Sequence, residues 1–111
     1  MDTDVGTKKL FENDEIIMWE FVLDPGETTS CHTHVHDYVF HVIEGSRLEV
    51  LGEDGALLAA FDAPAGGVFP LTLEGDKLVS PLGGEPAPAT HSARNAGTTR
   101  YRELLVETKR R

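Results

Sequence analysis

The stretch Cys31-His32-Thr33-His34-Val35-His36-Asp37-Tyr38 places three of the five histidines and a tyrosine at alternate positions. On a β-strand, side chains two apart share a face and lie roughly 6 to 7 Å apart along it. His32, His34, His36 and Tyr38 are therefore expected to look inward together. Neutral imidazoles bind divalent transition metals, and two so spaced reach one ion at about 2.0 to 2.1 Å if strand twist converges them and another strand supplies further ligands. His91 is the remaining histidine placed to join them. His41 is out of phase by one residue and is expected on the opposite face. Asp37 is also out of phase unless a β-bulge re-aims it, and it stands as a reserve ligand. Cys31 alternates away from the histidines and reads as a spectator rather than a redox group. The competing reading of His-x-His-x-His is a polar strand face with no ion at all.

Short strands separated by turn signals are the elements that must position these residues. Ile17, Trp19, Phe21 and Leu23 alternate with Met18, Glu20 and Val22 as one strand, and Asp24-Pro25-Gly26-Glu27 reads as a turn leading to the histidines. Val39 to Glu44 and Arg47 to Leu51 follow as strands, with Gly52-Glu53-Asp54-Gly55 as a hairpin turn. Ala56 to Phe61 and Val68 to Leu73 are further strands, bent apart at Pro64 and Gly66-Gly67. Glu74 to Thr90, rich in glycine and proline, is the expected long loop, with Lys77 to Val79 as a brief strand inside it. Asn95-Ala96-Gly97 is a turn, in which Asn95 serves the backbone, and Arg94 is expected outside the barrel. Tyr101 to Thr108 closes the chain as a strand with Leu104 and Val106 facing the same way; a helix over Arg102 to Arg110 ranks below it, because the segment is short and uncapped.

A chain of 111 residues, 40% hydrophobic, is one domain with a modest core, for which homodimerisation is the default expectation. The formal charge of −9 repels phosphate backbones and anionic lipid, which argues against nucleic acid and membrane as partners. The basic end Lys109-Arg110-Arg111 reads as a solvated tail. The acidic start Met1-Asp2-Thr3-Asp4 lacks the features of a secretory signal, no apolar run is long enough to span a bilayer, and one cysteine forms no internal disulfide. The expected compartment is the cytoplasm.

The spacing around the histidines resembles the cupin superfamily. Its first motif runs from a glycine through His-x-His and a glutamate to a second glycine, and Gly26, His32, His34 and Gly45 fall on it, with Tyr38 at the glutamate position. Its second motif, Pro-x-Gly-x-x-His with an asparagine four positions on, is matched by Pro86, His91 and Asn95, while Pro88 stands for the glycine. The wording His36-Asp37-Tyr38-Val39 is similar to small single-domain cupins that carry Asp-Tyr where the glutamate is expected.

The resemblance implies an all-β fold, a double-stranded β-helix or jelly-roll barrel of six to eight strands filling residues 1–111, with its core at about 16–109. It implies one divalent transition metal on His32, His34 and His91. Iron, zinc, nickel, manganese and copper all accept imidazole, so the metal is left open. Three neutral ligands leave the ion's charge uncompensated, which draws a small polar or carboxylate metabolite to its open positions. The expected activity is that of an oxygenase, isomerase or lyase, with Tyr38 as a hydrogen-bond donor and His36 as fourth ligand, general base or orienting partner. Tyr38 reads equally as a buried core tyrosine. A noncatalytic metal- or metabolite-binding module is the alternative, and an empty barrel serving assembly a third.

Overall fold

The computed structural model describes residues 2–109; Met1, Arg110 and Arg111, and with them part of the acidic start and of the basic end, lie outside the described residues. Within them the chain forms eleven strands and no helix: β1 Lys8–Glu12, β2 Ile16–Leu23, β3 His32–Thr33, β4 Asp37–Glu44, β5 Ser46–Leu51, β6 Leu57–Ala63, β7 Val68–Glu74, β8 Lys77–Val79, β9 Ala87–Pro88, β10 Thr90–Asn95 and β11 Tyr101–Thr108. They build a seven-stranded sheet in the order β1-β2-β11-β4-β7-β8-β9 and a four-stranded sheet in the order β3-β10-β5-β6. Every pairing is antiparallel. This is the expected jelly roll, built from more and shorter strands than the six to eight expected.

Alternation in β2 sends Trp19, Phe21 and Leu23 into the core, as their spacing predicts. The turn after it is type II, with Glu27 N donating to Asp24 O at 3.0 Å and Gly26 at φ +86°, a conformation that L side chains avoid. That turn docks on the end of β10, because Gly26 N donates to Asn95 O and Asn95 N to Glu27 O. The first-motif glycine and the second-motif asparagine thus meet in space. Gly45 is needed for a different reason: a Cβ there would lie 2.6 Å from Ala63 O and 2.8 Å from Ala65 N.

Asn95 is fully buried, and its amide ties three segments together. Nδ2 donates to Leu23 O at 2.9 Å and to Thr99 O at 2.8 Å, while Oδ1 accepts from Ser46 Oγ at 2.7 Å and Gly97 N at 3.0 Å. Asn95→Ala strands these buried partners, so urea unfolding is expected to show a loss of about 3 kcal/mol. A loss below about 1 kcal/mol would mean that water replaces the amide freely.

Several expectations need correction. β1 was not foreseen, because all five of its residues are exposed and carry no alternation; it is an edge strand with a register shift between Lys9 and Phe11. The expected long loop shrinks, since β7 extends to Glu74 and β8 and β9 pair across it. The last element is a strand throughout, with Leu104 and Val106 on one face as expected, and that face is the less buried one. The buried face carries Tyr101, Glu103, Leu105 and Glu107, two carboxylates among apolar side chains. No helix among the described residues is long and apolar enough to cross a membrane.

Candidate metal centre

β10 pairs with β3 in the register that sets His91 opposite His32. The chain leaves strand geometry directly after Thr33, and His34 is held beside them by its own N–H, which donates to Ala89 O at 2.9 Å. The three rings are buried, with each pair of centroids 5.0 Å apart. One nitrogen from each of the three lies within 4.8 Å of the others, close enough that a modest closing of the rings would bring all three to about the 2.0 to 2.1 Å at which imidazoles bind one ion.

Backbone carbonyls fix two of the rings. His32 Nδ1 donates to Ser30 O at 3.1 Å and His91 Nδ1 to Pro88 O at 2.7 Å. A carbonyl only accepts, so both rings carry the proton on Nδ1 and keep the Nε2 lone pair, the arrangement that orients histidine ligands. Pro88, which stands where the resembling motif has glycine, therefore supplies the orienting carbonyl for His91. His34 Nδ1 is buried and has no hydrogen-bond partner among the described residues. Such an atom is costly to bury, so His34 is placed at this point at the expense of folding stability.

Burial also keeps the rings neutral. Desolvation is the first cause of each lowered pKa: His34 falls to about 2, aided by repulsion from His91 and His32, and His91 to about 4, aided by His32 and opposed by its bond to Pro88. His32 is lowered too, with its bond to Ser30 and the charge of Asp2 opposing. Neutral imidazoles are the ligand form, so the set fits a borderline transition metal.

Tyr38 is buried and stacks on His34, with centroids 4.3 Å apart and planes at 14°. Burial, followed by the charges of Glu103 and Glu107, pushes its phenol well above the ordinary range, so it is a neutral hydrogen-bonding group and a packing surface for His34. His36, expected inward, lies outside both the histidine group and the cavity lining. The reason is local: alternation stops at the break after Thr33 and restarts at Asp37, so Tyr38 regains the inward face while His36 sits on the bend between. Asp37 Oδ1 accepts from Leu73 N at 2.8 Å, tying β4 to β7. His41 and Cys31 are exposed, and Arg94 pairs with Glu49 at 2.9 Å.

The histidines open on a cavity of about 470 Å³ whose walls include Phe21, Phe40, Phe61, Phe69 and Leu105. The segment after β8 contributes Ser80, Leu82 and Glu85 to it, and Leu82, 72% exposed, marks the mouth. Sequence reasoning missed Glu103, which lines the same cavity and accepts a hydrogen bond from Tyr101 Oη. Burial raises its carboxyl from 4.5 to about 8, with the Tyr101 bond opposing. The available signal was parity alone: Glu103 is two residues from Tyr101 and four from Glu107, whose carboxylate accepts from Trp19 Nε1 at 2.7 Å.

No family model and no curated protein matches the chain. Solved structures do. A cupin domain from Bordetella pertussis Tohama I superposes with a TM-score of 0.68 at 18% identity, covering 93% of this chain and 91% of that one. The polyketide cyclase RemF from Streptomyces resistomycificus gives 0.57 at 18% identity over 94% of this chain and 64% of its own. A sugar phosphate isomerase of the cupin superfamily from Silicibacter pomeroyi DSS-3 gives 0.54 at 19% identity over 87% and 52%. The chain has the cupin fold.

Proposed function

We propose that this cupin-fold barrel binds one divalent transition-metal ion on His32, His34 and His91 and uses it to act on a small metabolite held in the adjoining cavity. The observation that carries this reading is the convergence of three buried imidazole nitrogens within 4.8 Å, two of them oriented by backbone carbonyls. The bound metal would supply Lewis acidity toward an oxygen-bearing ligand, or oxygen chemistry if it is iron. The chain's own residues do the rest. The Ser30 and Pro88 carbonyls hold two ligand rings, Tyr38 packs the third and keeps a protonated phenol for hydrogen bonding, and the aromatic walls exclude water. These walls favour a metabolite with an apolar body beside the polar or carboxylate group that the ion's uncompensated charge would draw. An oxygenase, isomerase or lyase reaction is the activity class we assign, and the barrels of the same fold named as a cyclase and an isomerase show that it accommodates such enzymes.

A noncatalytic metal- or metabolite-binding role is the second reading. It is favoured by the absence of a carboxylate from the ligand group: Tyr38, not glutamate, occupies the usual position.

Elemental analysis of protein purified without a metal-binding tag or chelator tests the metal. Wild type is expected to carry about one equivalent, or to take it up on reconstitution, and His34→Ala to lose at least about 100-fold in affinity. Equal, negligible metal in both would remove the reading. A turnover and oxygen-consumption screen on the loaded protein then separates enzyme from binder.

A further inference from the structure

Two carboxylates are buried on the inner face of β11, and they differ in one respect. Glu107 receives the indole N–H of Trp19 and does not line the cavity, which is the behaviour of a structural group. Glu103, 5% exposed, does line it. It stands in register with Phe21 on β2 and Val42 on β4, and its recorded hydrogen bond is the one that Tyr101 Oη donates to Oε1. That bond takes Oε1, on a side chain that forms part of the cavity wall. Burying a carboxyl among aromatic rings works against folding. A carboxyl so placed, with one oxygen held and the side chain on the wall of a largely apolar cavity, has the form of a ligand contact.

We propose that Glu103, with Oε1 held from behind by Tyr101, is a second polar site of the cavity, which takes an uncharged hydroxyl or carbonyl oxygen of a molecule with an apolar, ring-sized body. The chemistry selects against charge. A ligand carboxylate would face an acidic side chain, whereas a neutral oxygen both accepts from a protonated carboxyl and, as a hydroxyl, donates to it. Burial, which holds Glu103 protonated up to about pH 8, agrees with that polarity. The size follows from the cavity, whose volume of about 470 Å³ lies in the range of roughly 300 to 1,000 Å³ typical of small-molecule pockets. The site is built without the histidines, so it stands or falls separately from the metal reading.

The test uses chelator-treated, metal-free protein and two probes of the same body, 2-naphthol and naphthalene, titrated by calorimetry or by NMR of the core methyl groups. Wild type is expected to prefer 2-naphthol by about fivefold or more, the worth of one buried hydrogen bond. Glu103→Leu is expected to abolish the preference while retaining naphthalene, and Glu103→Gln, which keeps a hydrogen-bonding head, to retain part of it. Failure of both probes to bind, equal affinities in wild type, or a preference that survives in Glu103→Leu would each overturn the proposal. A reading that needs no variant is the carboxyl 13C resonance of Glu103 in wild type. It should move with 2-naphthol and not with naphthalene; movement with both or with neither speaks against the site.

Discussion

Acidifying the metal-free protein from pH 7 to pH 4 is expected to lower its stability by about 4 kcal/mol, much of what a domain of this size possesses. The cause is the histidine cluster. In the unfolded chain these imidazoles titrate near 6.5, whereas burial and mutual repulsion lower His34 to about 2 and His91 to about 4, with His32 lowered as well. Below pH 6.5 the unfolded chain therefore binds protons that the folded barrel refuses. The stability these groups contribute is complete above 6.5 and is lost as pH falls toward the folded values. His34 and His91 each take about 1.4 kcal/mol per pH unit across that window, and Glu103 offsets roughly half of their combined loss because its shift has the opposite sign. Urea midpoints measured between pH 7 and pH 4 read the effect directly. Metal bound to the neutral rings opposes protonation, so the loaded protein should hold its stability to lower pH. A flat profile for the metal-free protein would show that the rings are not buried as neutral ligands.

The alkaline side belongs to Glu103. Its folded pKa is raised from 4.5 to about 8, so the folded state keeps a proton that the unfolded chain releases. The stabilisation is complete below 4.5 and is lost as pH rises through 8. Glu103→Gln removes this dependence, because an amide does not titrate. Between pH 5 and pH 8 the stability of wild type relative to Glu103→Gln is expected to fall by about 4 kcal/mol, roughly 1.4 kcal/mol for each pH unit. Tyr38 on β4 and Tyr101 on β11 are the other titratable groups nearby, and both phenols are raised further by the carboxylates, so neither ionises in this window. Parallel profiles for the two proteins would place Glu103 in contact with water rather than in the barrel.

Much of the architecture follows from spacing that any reader of the chain can see. The β2 alternation, the Pro25-Gly26 turn and the Gly52 to Gly55 hairpin are local patterns whose geometry depends on few distant contacts. Other elements exist only by association. β1 has no buried residue of its own, and it is a strand because β2 offers it an edge. β9 has two residues and is defined by its pairing with β8. Leu104 and Val106 share a face of β11 as their spacing implies, but spacing did not say which face is buried, and the structure buries the one that carries Glu103 and Glu107.

Residue type and interval determined a chain of short strands, and the resemblance to cupins that the same intervals carry implied the barrel class and the three histidines that meet in it. His32 and His34 were identifiable from their proximity in sequence, and His91 from its place ahead of Asn95 in a second recurring pattern. Tertiary structure decided which alternating residues share a face. The break after Thr33 removes His36 from the site and restores Tyr38 to it, the Pro88 carbonyl sets the ring of His91, and Glu103 enters the cavity between β2 and β4. The physical reason is one of range: alternation persists only as far as a strand stays regular, and the environment of an inward side chain is made by strands that the sequence places far away.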